Sequence, residues 1–567
     1  MNRRRWWPVA GDAISSANRQ RLAALSRRSR QVLLLAGVTG VLTGLVVAGF
    51  DWLTADVLFE RVRDLPLAAR AAAPLLGLLL AAGFLRLDGR ATTPGTADEY
   101  IRNFHDRSGR LALRQVPWKL FAAIATLGLG GPLGYEGPSV YAGAAIGSGL
   151  QQRLRRFFSA QDAKVLLVAG AAAGVAAIFK APVTGLVFAL EVPYQEDLAR
   201  KMLLPAAIGA AASYVTFAAI AGTEPLLPIA GQPPFNLRDL GGAAVVGLFA
   251  GILARAFVAL VRVAKNLAVR GHPLVRAAVG GAVMAAVVLA GHLISDEPLV
   301  VGPGYEALRW ALDPQHSVVA IIALGTLRVV GTAAILGGGG VGGLFIPLVI
   351  QGALVGRAVG GVFDADNTTL FPVVGMAAFL GAGYRVPLAA VVFVAEVTGR
   401  PGFVVPGLIA AVVAQLVIGR ASVSAYQVAG RVGHLEGRLQ LPLSSVVDTD
   451  TRTVPPDATV DELFWQHLVA GRQHSTAVVD GDTYLGIVGT DEANTLDRST
   501  WSTTTVAEIM RTDVPTAEPG WPLRDAIEAM DAAATDRLAV CNDGHFVGVI
   551  TATDLVHLDE LLANDEE

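Results

Sequence analysis

One acidic side chain, Glu136, sits in the stretch Gly131-Pro132-Leu133-Gly134-Tyr135-Glu136-Gly137-Pro138-Ser139, with long apolar segments on both sides. A carboxylate at membrane depth is costly, so it faces a water-filled path or the protein interior. The surrounding glycines and prolines argue against a continuous helix. They predict helix ends with exposed backbone amides, which can hold an anion. The competing reading is a tight turn in which Glu136 is a solvated cap.

The chain that must position this carboxylate has 567 residues, 53% hydrophobic and only 16% charged, with a mean hydropathy of +0.50. A soluble chain of this size would carry more charge. Apolar runs recur between residues 31 and about 420, and the chain beyond about 440 reads as soluble. The single cysteine, Cys541, allows no intrachain disulfide, which fits a cytoplasmic tail. Arg3, Arg4, Arg5, Arg19, Arg21, Arg27, Arg28 and Arg30 precede the first apolar run, Val32 to Phe50. This basic segment, 1–30, favours a cytoplasmic N-terminus, and the run lacks a cleavage site and reads as a retained span. Several later runs are shorter than the ~20 residues of a simple span. Short, Gly/Pro-interrupted segments predict half-helices that meet near the midplane, as in a transport pathway.

The membrane part contains an internal repeat. Phe179-Lys180-Ala181-Pro182 through Phe188 and Glu191-Val192 answers Tyr384-Arg385-Val386-Pro387 through Phe393 and Glu396-Val397 at an offset of 205. Gly134-Tyr135-Glu136-Gly137-Pro138 answers Gly343-Leu344-Phe345-Ile346-Pro347 at an offset of 209. Two related halves with interrupted helices place a site at the repeat interface.

These motifs in this order resemble the CLC family of chloride channels and proton-coupled anion exchangers, over residues 31–435. Gly134 to Pro138 is similar to the family's G-[RK]-E-G-P motif, Gly343 to Pro347 to G-x-F-x-P, and Phe179 to Glu191 to its F-x-A-P segment. Tyr426 resembles the tyrosine that closes the inner end of the anion site. The resemblance implies an all-α polytopic membrane domain with two inverted repeats and interrupted helices, assembled as a homodimer with one pore per subunit. It implies that Glu136 is the gate, competing for the anion position when ionised and leaving it when protonated. It implies amides near Gly137, Phe345 and Ile346 around an anion, chloride or nitrate. Helix ends suit that task because a full cation would bind too tightly for conduction.

Three positions depart from the family. Tyr135 replaces the usual Arg or Lys beside the gate. The first anion motif, G-S-G-I-P, is matched best by Thr93-Pro94-Gly95-Thr96-Ala97, which puts Pro94 and Gly95 at the anion and leaves no hydroxyl at the Ser position. Relatives with Pro there favour nitrate, so nitrate preference is an expectation, against the alternative that Pro94 only starts a helix. Third, the exchangers carry a second, proton-passing carboxylate where this chain has Val192. Valine carries no proton, so the sequence reading is passive, glutamate-gated conduction. Proton-coupled antiport is the alternative, with Glu196 or Asp197 as another proton entry or as plain loop residues. Glu191 is then expected to accept hydrogen bonds at a helix end.

The tail, 441–567, contains two copies of a strand-and-helix pattern ending in Leu485 to Asp491 and Val547 to Asp554, a small α/β unit. It resembles a cytoplasmic tandem CBS pair. The resemblance implies an adenine nucleotide held by Thr490, Asp491, Thr553 and Asp554; the alternative is that the aspartates cap helices. The acidic tail argues against nucleic acid. No nucleophile triad, metal cluster or phosphate loop is evident, and Gly337-Gly338-Gly339-Gly340 lacks the following Gly-Lys-Ser/Thr. The chain is therefore not expected to be an enzyme or to carry another cofactor. A non-transporting membrane scaffold with a nucleotide-sensing tail is the rival from a different class.

Overall fold

The computed structural model describes residues 9–88, 92–106, 109–154, 160–227, 235–313, 315–363, 369–430, 441–449, 451–471, 473–533, 535–551 and 554, with side chains from Arg30. The chain divides into two compact units, Met1–Gly430 and Arg431–Glu567. The basic N-terminal arginines before Arg30 lie outside the described side chains.

The first unit is helical. Its first half runs through α1 (Val9–Asp51), a π-helical continuation at Trp52–Phe59, α2 (Glu60–Arg63), α3 (Leu67–Leu87), α4 (Ala97–His105), α5 (Val116–Gly128), α6 (Glu136–Arg153), α7 (Ala160–Ile178), α8 (Pro182–Glu191) and α9 (Leu203–Ala221). The second runs through α10 (Leu237–Ala268), α11 (Pro273–His292), α12 (Tyr305–Leu312), α13 (Val318–Gly337), α14 (Phe345–Phe363), α15 (Leu370–Tyr384), α16 (Pro387–Thr398) and α17 (Val404–Ile418). Among the described residues, seven helical spans are long and apolar enough to cross a membrane. Others, such as α8 and α16, are too short and are enclosed by their neighbours, which satisfy their ends.

The halves are built alike. In each, two helices touch backbone to backbone at a pair of glycines. A Cβ added at Gly143 on α6 would fall 2.1 Å from the Gly170 carbonyl oxygen on α7. One at Gly352 on α14 would fall 2.2 Å from the Gly375 carbonyl oxygen on α15. Small residues allow such close packing in lipid. Helices α7 and α15 then end at matched residues in the left-handed region, Lys180 (φ 52) and Arg385 (φ 57), two positions before the prolines that start α8 and α16.

The halves meet as inverted copies. Gly134 and Gly343 form an antiparallel bridge with each other, with N–H to O distances of 2.9 and 2.7 Å. Because these glycines are repeat equivalents, the pairing places a local two-fold relation between the halves. Glu191, ending α8, accepts hydrogen bonds from the Leu388 and Ala389 amides at the start of α16, at 3.1 and 2.8 Å. Glu396 on α16 accepts from the Val183 and Thr184 amides and the Thr184 hydroxyl at the start of α8, at 2.9, 2.6 and 2.6 Å. Each carboxylate satisfies orphan donors of the other helix and complements its positive end.

The second unit holds a five-stranded sheet in the order β1-β2-β3-β5-β4. These strands are β1 (Thr453–Val454), β2 (Ser475–Asp480), β3 (Thr483–Gly489), β4 (Arg537–Asn542) and β5 (His545–Thr551). Hairpins β2–β3 and β4–β5 repeat at an offset of 62, down to a bulge at Val478/Val479 and at Val540/Cys541. Leu443, Leu523, Leu538 and Ile550 pack in one core, and Val454, Leu463, Val478 and Val488 in another. Cys541 is half-buried, which pushes its thiol up.

Candidate functional site

The glycine bridge brings two helix N-termini to one place, because α6 starts two residues after Gly134 and α14 two residues after Gly343. The first amides of a helix have no intrahelical acceptor, and both ends carry positive dipole charge. The Glu136 side chain folds back into this spot. Its Oε1 accepts from the Phe345 amide at 2.6 Å, and the Ile346 amide and its own also act on the carboxylate. The residue is 1% exposed. Oε2 has no hydrogen-bond partner among the described residues. The carboxylate lies so close to the bridge that an added Cβ at Gly134 or Gly343 would come within 1.8 or 1.9 Å of its oxygens. The alternative of a solvated cap is excluded by this burial. A negative group fills a nest of backbone N–H donors, the chemistry that would otherwise hold a free anion.

Gly137 packs into the same junction, where a Cβ would meet the Thr96 Oγ1 at 2.4 Å and the Gly343 Cα at 2.8 Å. Phe345 and Ile346 are buried. The Phe345 ring lies 4.7 Å from those of Phe179 and Phe393 and 5.4 Å from that of Phe188. Helix α14 therefore presents its amides from a packed aromatic floor. Beside the gate, Tyr135 supplies no charge: its ring packs edge-on against Phe50, and its hydroxyl has no hydrogen-bond partner among the described residues.

A cavity of about 250 Å³ approaches the junction from one side, lined by Pro94, Gly95, Thr96, Gly343, Tyr384 and Tyr426 among others. Asp98, Glu99, Arg102 and Lys265 give it charge. The hydroxyl nearest the glycine bridge belongs to Thr96, which donates to the Gly342 carbonyl at 3.1 Å. Pro94 lines the cavity but does not start a helix, since α4 begins at Ala97. Pro94 and Gly95 line the cavity as the sequence reading placed them, and Thr96, two residues after Pro94, adds a hydroxyl there. Lys119, buried on α5, fixes this segment by donating to the Gly95 carbonyl at 2.5 Å while its ammonium lies 4.1 Å from the Tyr141 ring centroid.

Tyr426 lines the cavity but is 44% exposed, with the Arg102 guanidinium 6.0 Å from its ring centroid. Tyr384, 3% exposed at the last turn of α15, lines the same cavity. The sequence reading missed Thr96, Lys119 and Tyr384. Only Thr96 carried a signal, as a hydroxyl residue directly before a helix with Asp98 and Glu99 in its first turn.

Position 192 is a buried valine whose carbonyl accepts from the Gln427 Nε2 at 2.9 Å. Glu196 is exposed and lies 3.5 Å from the Arg385 guanidinium. Asp197 lies 3.6 Å from Arg200.

In the tail, the 62-residue register pairs Asp554 with Glu492, one residue past the Asp491 that the two endings suggested. Both paired carboxylates do the same task. Glu492 Oε2 accepts from the Gly489 amide at 2.9 Å, and Asp554 Oδ2 accepts from the Thr551 amide at 2.8 Å and hydroxyl at 2.7 Å. Asp491 is exposed. The Thr490 amide donates to the His474 carbonyl. Thr553 lies outside the described residues. No cluster of three metal-ligating side chains is found among the described residues.

A family model described as voltage gated chloride channel matches residues 77–419, and a CBS domain model matches 506–560. The H(+)/Cl(−) exchange transporter ClcA of Salmonella paratyphi B is 28% identical over 433 residues, covering 71% of this chain and 89% of the relative. The ClcA of Salmonella arizonae is 29% identical over 419 residues, covering 69% and 86%. Among solved structures, a slow cyanobacterial Cl−/H+ antiporter matches with a TM-score of 0.61 and 22% identity, covering 68% of this chain and 94% of that one. A CLC-type fluoride/proton antiporter matches with a TM-score of 0.60 and 23% identity, covering 70% and 98%. A eukaryotic CLC transporter covers 92% of this chain and 97% of that one, with a TM-score of 0.58 and 18% identity.

Proposed function

The chain belongs to the voltage gated chloride channel family of anion transporters, and from that premise we propose that it exchanges chloride for protons, with Glu136 as the moving gate. The observation that carries this reading is the Glu136 carboxylate seated on the Phe345 amide where α6 and α14 begin. Ionised, it fills the anion's place. Protonated, it loses the charge that holds it there, and an anion takes over the amides. One group thus alternates between binding a proton and yielding to an anion, which couples the two fluxes.

Val192 favoured passive conduction in the sequence. The two ClcA relatives are named H(+)/Cl(−) exchange transporters, and they tip the choice to antiport. The structure adds that Glu191 and Glu396 are both committed to helix ends, so neither replaces the missing inner carboxylate. Chloride is preferred over nitrate in this proposal because the Thr96 hydroxyl, which donates to the Gly342 carbonyl, can turn to an anion beside it. A homodimer with both chain ends in the cytoplasm and the cavity of Thr96 and Tyr384 facing inward completes it. The tail is proposed to regulate transport, with an adenine nucleotide as the ligand to test.

Liposomes holding the full chain, given chloride, nitrate or fluoride gradients while pH is recorded, test the reading. Uphill proton movement driven by chloride is expected. Chloride flux without proton movement overturns exchange in favour of passive conduction, and no anion flux overturns transport.

A further inference from the structure

We propose that Tyr384 is the group that hands protons from the inner cavity to Glu136, in the role that position 192 cannot fill. This rests on the exchanger reading, which requires a proton to reach Glu136 from the cavity side. Val192 is buried and apolar, and its carbonyl is held by Gln427. Another carrier must touch both the cavity and the gate.

Most candidates are already engaged. Glu191 and Glu396 hold the α16 and α8 ends. Asp98 is paired with Lys265, and Glu99 accepts from Thr93 and Arg102. The Thr96 hydroxyl donates to Gly342. Tyr384 remains. It lines the cavity together with Gly342, Gly343 and Leu344. Gly343 is also the residue that the Glu136 carboxylate packs against. The wall between cavity and gate is thus one strand of backbone, and the Tyr384 phenol stands in that wall. The charges of Glu136 and Asp98 both act on its hydroxyl.

The ring is held in position from three sides. Its backbone carbonyl accepts from the Gln427 Nε2 at 2.7 Å. Arg385 turns the chain out of α15 in the left-handed region. Phe188 meets it edge-on at 5.7 Å. The hydroxyl oxygen accepts from the Leu344 amide, which leaves its own O–H proton to turn between cavity and Glu136.

The transfer balances without a charged phenol. The Tyr384 O–H bond breaks and its proton goes to Glu136, where an O–H bond forms on the unpartnered Oε2. A cavity water gives a proton to the Tyr384 oxygen, restoring the phenol, and is itself reprotonated from the bulk. Rotation of the hydroxyl resets the relay.

The test uses full-length protein in liposomes. Tyr384→Phe keeps the ring and removes the exchangeable proton. Protons moved per chloride should fall about tenfold or more, whatever the change in chloride flux itself. Unchanged coupling in this variant, with the wild type coupled, overturns the relay and leaves exchange standing. A wild type that moves no protons overturns both. Should Tyr384→Phe fail to assemble, Tyr384→His decides. Coupling that titrates near the ordinary histidine value of about 6.5 supports the relay, and coupling with the wild-type pH profile overturns it.

Discussion

Glu191 and Glu396 cap each other's helices: Glu191 receives the first amides of α16, and Glu396 those of α8. The exchange makes the α8–α16 pair a two-fold unit tied by charge-assisted hydrogen bonds, which are among the stronger kinds. It also explains why a carboxylate followed by valine recurs in both halves.

Removing either cap leaves helix-end amides unsatisfied. Glu191→Ala and Glu396→Ala should each destabilise the membrane unit by about 2–4 kcal/mol. Glu191→Ala should be the larger because its acceptor site is the more buried. Thermal unfolding in detergent checks this, and the proton-to-chloride ratio of the surviving protein should be that of wild type. A variant that unfolds normally but has lost coupling would show that these residues carry protons.

Glu136→Gln removes the charge but keeps the shape. The charge-assisted bond to Phe345 is worth about 1.5–3 kcal/mol, so anions should gain access by about tenfold or more. Chloride efflux from liposomes should rise and lose its pH dependence, and proton movement should stop. In the wild type, efflux should rise as pH falls, since protonation frees the site.

Gly134→Ala offers a way to open the gate without touching Glu136. The three atoms nearest the added Cβ all belong to the Glu136 carboxylate, the far end of a flexible side chain. The carboxylate should swing away and chloride efflux should approach that of Glu136→Gln. Gly343→Ala is less clean, because its Cβ would also come within 2.6 Å of the Gly137 backbone nitrogen, and it should lower expression as well.

Thr96→Val deletes the hydroxyl that lies two residues after Pro94 in the cavity lining. A neutral hydrogen bond is worth about 0.5–1.5 kcal/mol. Chloride-over-nitrate preference, read from relative efflux rates, should therefore fall by about two- to tenfold. Pro94→Ala should leave the preference unchanged.

In the tail, Asp554→Ala should lower the unfolding temperature by about 4–8 °C, the effect of losing roughly 1 kcal/mol of capping in a domain of this size. Asp491→Ala should change it little, since that side chain is exposed. If an adenine nucleotide binds, calorimetry on the two variants should show it weakened by Asp491→Ala.

The large features could be read from the sequence because their cause is local. A lone carboxylate among glycines and prolines needs a protein environment in any apolar chain, and Glu136 has one. The offsets of 205 and 209 announced paired halves, and the Gly134–Gly343 bridge adds their inversion, which a one-dimensional comparison does not contain. Thr96 drew no notice in its motif because its contact is with Gly342, 246 positions away. Tyr384 read as one more aromatic at the end of a buried helix, since nothing local marks a phenol that borders a cavity. The equivalence of Asp491 with Asp554 rested on similar endings. Strand register, pinned by matched bulges, moves it by one residue.

The glycine contacts between α6 and α7, and between α14 and α15, bear on how the transporter works. Backbones that touch at carbonyl distance cannot slide past one another without opening a void in a low-dielectric surround. Each half should therefore behave as a stiff block. Backbone motion between α6 and α7 is then no part of the cycle, so a covalent clamp joining the two helices should leave transport running at its normal speed.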